Sequence, residues 1–291
     1  MNKGSYVGRF APTPTGPLHF GSLLAALASY LDAKHHQGQW LIRIEDLDPV
    51  REDPSASVQI LHTLEEYGFE HDGEIRFQSQ RSQAYQACLD RLIELGFAFP
   101  CQCSRTHLHG RPHHGNCQSN STLNIAWRFL TGSGQYCFND RIQGQHCEDL
   151  SSIGDFVLKR KDGPWAYQLA VVCDDIDQGV THIVRGIDLL DSTARQALLY
   201  QALAAPLPRY AHIPVATENN GQKLSKQNLA KPLPLDNKAE VLFTAFTWLN
   251  QHPPAELKGS IKELLDWGIR HWNEHALHGL KSQPAPTLYI R

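Results

Sequence analysis

Hydrophobic positions recur along this chain at two spacings, and the changes between them mark its elements. Tyr6 to Phe10 is a short β-branched and aromatic run that predicts a buried strand. Pro12, Pro14, Gly16 and Pro17 then forbid regular structure for about seven residues. From Ser22 to Lys34, leucines and alanines at helical spacing predict a helix, and Gly38 stands where a left-handed stop would end it. Gln39 to Glu45 reads as a second strand. Strand, helix, strand in this order implies a parallel pair with a right-handed crossover. Apolar stripes predict helices over Pro54–Tyr67 (Val58, Leu61, Leu64) and Ser79–Leu95 (Cys88, Leu89, Leu92, Ile93), ended by Gly68 and Gly96. Short β-like runs fall at 125–129, 136–142 and 155–160. Trp165 to Asp175 is a long apolar run closing on carboxylates and predicts a strand, as does Val180 to Asp188. A helix from Ser192 to Ala204 and a strand from His212 to Ala216 follow. Beyond Pro234, two amphipathic helices near Lys238–Asn250 and Ile261–His275 precede a tail, Gln283 to Arg291, expected to be extended and mobile.

Composition narrows the class without choosing a function. Hydrophobic residues make up 41% of the 291 and charged residues 20%, ordinary for a soluble globular protein. No apolar run approaches the roughly 20 residues that span a bilayer, and the N-terminus carries no signal-peptide core, so a cytoplasmic protein without membrane contact is expected. A net charge of −3 argues against a general nucleic-acid coat, although local basic patches can still meet phosphates. Seven cysteines without an export signal suggest thiols and a metal rather than a disulfide framework.

Chemistry concentrates at the join of the first strand, the stiff loop and the first helix. A helix start offers unpaired N–H groups and positive dipole charge, which suits phosphate. Gly21 lacks a Cβ, so a flat ligand could lie against the backbone, and His19 can donate to a phosphate oxygen. Downstream, Gly221-Gln-Lys223-Leu-Ser225-Lys226 places two lysines around a serine after a Gly-rich turn; alone it could be a solvated surface turn. Glu45, Asp46 and Asp48 fall at the C-terminal end of the second strand, the edge where α/β sheets bind ligands. Asp48 and Asp53 read as turn and cap residues, and Asp46 could be one too. Arg185 is costly to bury without an anion, which could be a nearby Asp or a ligand. From Ser104 to Asn124 the chain is too polar to hold itself by burial. Cys101, Cys103 and Cys117 with a histidine would make a closed Cys₃His zinc set, or three unligated thiols. Cys88, Cys137, Cys147 and Cys173 read as ordinary thiols.

The His19-Phe-Gly21 and Lys223-Leu-Ser-Lys226 segments, in this order, resemble the His-Ile-Gly-His and Lys-Met-Ser-Lys-Ser signatures of class I aminoacyl-tRNA synthetases. Arg9-Phe-Ala-Pro-Thr-Pro-Thr-Gly-Pro-Leu-His19 looks like the glutamyl branch, as do Arg43-Ile-Glu-Asp-Leu-Asp48 and Thr181-His-Ile-Val-Arg-Gly-Ile-Asp188. The resemblance implies an α/β fold: a Rossmann-like class I catalytic domain with an inserted zinc-binding subdomain, a short helical C-terminal extension and no anticodon-binding domain. Its divisions would be 1–98 and 125–234 for the catalytic halves, 99–124 for the insertion and 235–291 for the extension. The implied glutamate site is Arg9, Phe10, Ala11, Pro12, Thr13, Glu45, Tyr167 and Arg185. His19, Gly21, Ser22, Lys223 and Lys226 would take ATP with its magnesium, and two bidentate arginines would suit a dicarboxylate amino acid. Several relatives hold zinc through Cys-x-Cys and Tyr-x₃-Cys, and His113 stands where that pattern has Tyr, giving one structural zinc on Cys101, Cys103, His113 and Cys117. Only residues 227–291 follow the lysine loop. This shortness resembles a truncated branch that activates L-glutamate without tRNA and transfers it to the queuosine base in the anticodon loop of tRNA(Asp), with no obligatory protein partner. A discriminating glutamyl-tRNA synthetase and a catalytically idle zinc-bearing RNA-binding paralogue are the alternatives.

Overall fold

The computed structural model describes residues 6–48, 50–103, 105–115, 117, 124–218, 221–224 and 231–289. β1 (Val7–Phe10) leads through the proline-rich turn into α1 (Phe20–His35), and β2 (Gln39–Ile44) returns parallel to β1, with Arg9 opposite Leu41. α1 starts two residues earlier than its apolar spacing indicates because His19 caps it, Nδ1 accepting from Ser22 N at 3.3 Å. The left-handed residue beyond its end is Gln37 (φ 54°), not Gly38. Glycine is required at 38 for a different reason: a Cβ there would run into the Tyr6 carbonyl.

α2 (Ala56–Glu66), β3 (Arg76–Phe77) and α3 (Ser82–Glu94) follow, β3 extending the sheet in the order β1-β2-β3. The next stretch is antiparallel. It comprises β4 (Ala98–Cys101), α4 (Arg105–Leu108), β5 (Ala126–Phe129), β6 (Gln135–Asp140), β7 (Gly144–Asp149), α5 (Leu150–Ile153) and β8 (Val157–Lys159). Strands pair as β4-β5-β8, and β6-β7 form a hairpin. The β7 half has no apolar alternation, so only its partner is visible in the sequence.

The run expected as a strand over Trp165–Asp175 is instead α6 (Tyr167–Asp177). Leu169 to Asp175 are all buried, and a helix enclosed on every side loses the periodicity that separates it from a buried strand. β9 (His182–Gly186), α7 (Thr193–Ala202) and β10 (Arg209–Ile213) restore the parallel pattern, with Arg185 opposite His212. Thr181 N donates to Val7 O at 2.9 Å, so the β9-β10 pair continues the sheet on the β1 side. Pro214 separates β10 from β11 (Val215–Thr217), two strands where the sequence reads as one.

α8 (Lys238–Trp248) and α9 (Ile261–His271) cover the outer side of α1, where Gly268 lies directly against Phe246 and Leu31. α1 thus lies in the largest core, and each of its buried leucines contributes about 2 kcal/mol. A second core joins α3, α6 and α7 to the β4-β5-β8 sheet. The tail, expected to be extended and mobile, is docked over its described part: β12 (Ser282–Pro284) pairs in parallel with β11, and buried Tyr289 stacks on Phe20 at 4.5 Å. The four cysteines expected as separate thiols are paired, Cys88 with Cys173 between α3 and α6, and Cys137 with Cys147 across the β6-β7 hairpin. Both pairings are made by tertiary and strand register, which spacing does not show. Among the described residues no helix is long and apolar enough to cross a membrane.

Candidate active site

Parallel strands end together, so residues far apart in sequence meet at one sheet edge. A cavity of about 570 Å³ opens there, walled by the ends of β1, β9 and β10, the residue after β2, and the starts of α1 and α6. Arg9, Phe10, Ala11, Pro12, Thr13, Glu45, Tyr167 and Arg185 line it together with His19, Gly21, Ser22 and Lys223. Lys226 lies outside the described residues.

The two arginines are held differently. Arg9, 4% exposed, sets Nε and Nη2 on Asp175 at 3.1 and 3.5 Å. Arg43 shares Asp175 at 2.6 Å and reaches Glu45 Oε1 at 3.5 Å. Burial raises Asp175, but the two guanidiniums outweigh it and hold its carboxyl below the usual range. Burial also pushes Glu45 up, and there Arg43 and Arg9 do not fully compensate. Arg185, equally buried, has no carboxylate in salt-bridge range among the described residues. Its guanidinium donates to Gln196 Oε1 (2.7 Å), Thr193 Oγ1 (3.0 Å), Leu189 O (3.3 Å) and His212 Nε2 (3.0 Å), and lies 5.2 Å from the Tyr210 ring centre. Four of its five N–H groups are therefore engaged, leaving one on Nη1; its grip on a ligand is single rather than bidentate. The nearby-aspartate alternative for Arg185 is thereby excluded.

At the other end, His19 Nδ1 accepts from Ser22 N, which leaves Nε2 as the protonated, donating nitrogen of the neutral ring. One N–H of the helix start is thus already used. Gly21 is constrained by His19 itself, whose Cε1 would lie 3.0 Å from a Cβ. Lys223 bridges to Thr217, Leu224 N donates to Ala216 O at 2.8 Å, and Lys223 Nζ meets Asp188 at 2.5 Å beside the cavity. Asp46 binds Ser79 through N and Oγ (2.8 and 2.6 Å), Asp48 pairs with Arg51 at 2.7 Å, and Asp53 receives Ser55 N at 2.9 Å. Asp48 and Asp53 make the local turn contacts the plain reading assigns them, whereas Asp46 ties the chain after β2 to the residues before α3.

A second cavity, about 730 Å³, shares Thr13, Glu45 and Tyr167 with the first and extends to Arg51, Arg160, Lys161 and Cys103. Cys101, Cys103, His113 and Cys117 hold their ligand atoms within 4.8 Å of one another, a spread suited to one metal ion with bonds of about 2.0–2.3 Å. His113 turns Nε2 to Cys101 Sγ (3.4 Å) and Nδ1 to Asp155 Oδ2 (2.9 Å), so the carboxylate fixes the tautomer that leaves Nε2 as the ligand. Arg128 donates to Cys101 Sγ at 3.3 Å.

Sequence reading did not single out Arg43, Asp140, Asp155, Asp175, Gln196 or His212. A usable signal existed for three: Arg43 and His212 are charged or polar residues inside apolar runs, and Asp175 ends one. Asp140, Asp155 and Gln196 carry none.

A family model for the catalytic domain of class I tRNA synthetases (E and Q) matches residues 6–125 and 118–237. The glutamyl-Q tRNA(Asp) synthetase of Chromobacterium violaceum is 48% identical over 285 residues, covering 94% of this chain and 95% of its own. That of Pseudomonas paraeruginosa is 50% identical over 290 residues, covering 98% and 99%. Among solved structures, a glutamate-tRNA synthetase from Elizabethkingia anophelis superposes with a TM-score of 0.82 at 23% identity, covering 98% of this chain and 69% of that one. A glutamate tRNA ligase from Elizabethkingia meningosepticum gives 0.80 at 24%, covering 95% and 66%. These likenesses show the fold of the class I catalytic domain. The chain belongs to the class I (E and Q) tRNA synthetase family of ligases, in the group of the glutamyl-Q tRNA(Asp) synthetases.

Proposed function

We propose that the first cavity joins L-glutamate to ATP as glutamyl-adenylate without tRNA, and that the enzyme passes the glutamyl group to the queuosine base in the anticodon loop of tRNA(Asp). The observation that carries this reading is Arg185, a buried cation with neutral partners only, opening on the same cavity as Arg9 and Glu45. A dicarboxylate amino acid satisfies all three: its side-chain carboxylate meets Arg9 and Arg185 with Tyr167 beside them, and its ammonium meets Glu45. Phe10, Ala11, Pro12 and Thr13 complete the wall. Its α-carboxylate then attacks the α-phosphate and pyrophosphate leaves. His19, Gly21, Ser22, Lys223 and Lys226 receive the nucleotide, and fixed donors and positive charge stabilise the phosphate in the transition state. Magnesium accompanies ATP, held largely by phosphates and water. The acceptor on queuosine attacks the acyl carbon and AMP leaves. The names of the curated relatives support this acceptor. An unpaired anticodon-loop base is also the part of an RNA that a cavity can read.

Cys101, Cys103, His113 and Cys117 would hold one zinc ion whose role is structural, since four protein ligands leave no position for a catalytic water. The function is tested by pyrophosphate exchange with glutamate and ATP alone, and by transfer of labelled glutamate to tRNA(Asp) with and without queuosine, with tRNA(Glu) alongside. Exchange without tRNA and labelling confined to queuosine-bearing tRNA(Asp) are expected. No exchange, or labelling of tRNA(Glu) instead, overturns the reading.

A further inference from the structure

Arg185 owes its state to two residues that do not line the cavity. His212, fully buried on β10, accepts from Arg185 Nε at 3.0 Å through Nε2, and Thr193 Oγ1 lies 3.4 Å from the same nitrogen. Its Nδ1–H donates to Asp140 Oδ2 at 2.6 Å. Asp140 in turn is locked through Oδ1, which accepts the backbone N–H groups of Ile142 (3.0 Å), Gln143 (2.8 Å) and His212 (3.1 Å). The order is carboxylate, neutral imidazole, guanidinium. The imidazole gives Arg185 an acceptor without giving it a counter-ion. Burial, aided by Arg185, keeps the His212 ring below its ordinary pKa and outweighs the pull of Asp140, so the ring stays neutral.

We propose that Asp140 and His212 are positioning and specificity residues for the substrate side-chain carboxylate: they hold Arg185 by its Nε edge while leaving its charge uncompensated for the ligand. This rests on the reading of Arg185 as a carboxylate site. A carboxylate in place of the imidazole would neutralise Arg185 and remove the reason to prefer glutamate over glutamine. Asp140→Asn acts through the tautomer. Its amide oxygen stays at the Oδ1 position among three N–H groups, so its NH₂ faces Nδ1. The ring proton must then move to Nε2, where it opposes the Arg185 N–H. A glutamine at 212 supplies an oxygen acceptor to Arg185 without help from Asp140.

Glutamate-dependent pyrophosphate exchange tests this in Arg185→Ala, Asp140→Asn, His212→Gln, His212→Glu and the Asp140→Asn/His212→Gln double variant, with melting temperatures taken in parallel. Asp140→Asn is expected to raise KM for glutamate at least tenfold with a smaller change in kcat. The double variant should return to the level of His212→Gln, which a merely structural role for Asp140 would not produce. His212→Glu should raise KM for glutamate tenfold or more without raising that for glutamine, and decides the matter alone if Asp140→Asn does not fold. Should Arg185→Ala raise KM while Asp140→Asn and His212→Glu leave it unchanged, this inference falls and the reading of the cavity stands. A double variant no better than Asp140→Asn overturns it as well. Unchanged KM in Arg185→Ala overturns both.

Discussion

Arg185 shows how a single buried side chain encodes a preference. A guanidinium cannot shed its proton, so an uncharged glutamine leaves it unpaired, at a cost of about 3–5 kcal/mol. Arg185→Ala is therefore expected to raise KM for glutamate and to erode discrimination against glutamine, read by exchange kinetics with both amino acids. Other buried ionisable residues bear on stability rather than on substrate. Asp32 accepts from Tyr6 Oη, from Arg141 at 2.7 and 2.8 Å and from Trp272 Nε1 at 3.1 Å, tying α1 to the residue before β1, to the residue after β6 and to the chain after α9. Burial raises its pKa, but Arg141 and Tyr6 outweigh that and hold it low. Its stabilisation is thus full above the unfolded pKa and is lost as pH falls through the folded one. His182, stacked on Tyr6 at 4.0 Å, is lowered to about 4 chiefly by burial. Below about pH 6.5 the unfolded chain takes up a proton that the folded one refuses, so His182 also destabilises on acidification. The melting temperature should fall steadily from pH 7 to pH 4, and His182→Gln should flatten the upper part of that slope; an unchanged slope would count against the assignment.

At the scale of elements, the Cys/His segment and α6 are organised by different forces. The segment between Cys101 and Cys117 is polar, and what converges within it is ligand atoms rather than apolar surface. Cys103→Ser should lower metal content and melting temperature together, with adenylation reduced only as the segment loosens. Elemental analysis and calorimetry check this, and fully folded, active protein without zinc would refute it. α6 is the opposite case, an apolar helix enclosed by α3 and α7. It carries Asp174 and Asp175 into the core, where Asp174 receives Tyr85 Oη (2.6 Å), Gln78 Nε2 (3.0 Å) and Arg81 Nε (3.1 Å). Of the two charges its sequence places after an apolar run, Asp175 is thus the anchor of Arg9 and Arg43, and Asp174 ties α6 to Arg81 and to Tyr85 of α3.

For the molecule as a whole, the end of the described chain supports the cavity at a distance. β12 pairs with β11, and β11 carries the bridge to Lys223 and the bond that seats Leu224. Tyr289 closes the same assembly by stacking on Phe20, the first residue of α1. Removal of residues 282–291 is expected to lower the melting temperature and to raise KM for ATP more than KM for glutamate, because the lysine loop loses its backing while Arg9 and Arg185 keep theirs. Equal effects on the two substrates would argue against that coupling.

The first strand, the first helix and the second strand were legible in the sequence because their apolar spacing and the prolines and glycines between them are local signals, whereas the cap that His19 makes two residues before the expected helix start was not. The residues that the family resemblance placed around glutamate and nucleotide, all but Lys226, line one cavity at the ends of elements, and Lys226 lies outside the described residues. Three things were decided only by tertiary structure. Whether Trp165 to Asp175 became strand or helix depended on what enclosed it, because burial on all sides erases periodicity. Which cysteines met, and that the tail docked, depended on register between segments far apart in sequence. The neutral surroundings of Arg185 depended on Thr193 and Gln196 from α7 and on His212 from β10, itself held by Asp140 at the end of β6. Local pattern records what a residue needs from its neighbours in sequence, whereas a buried charge is set by whichever groups the fold brings within a few ångströms of it.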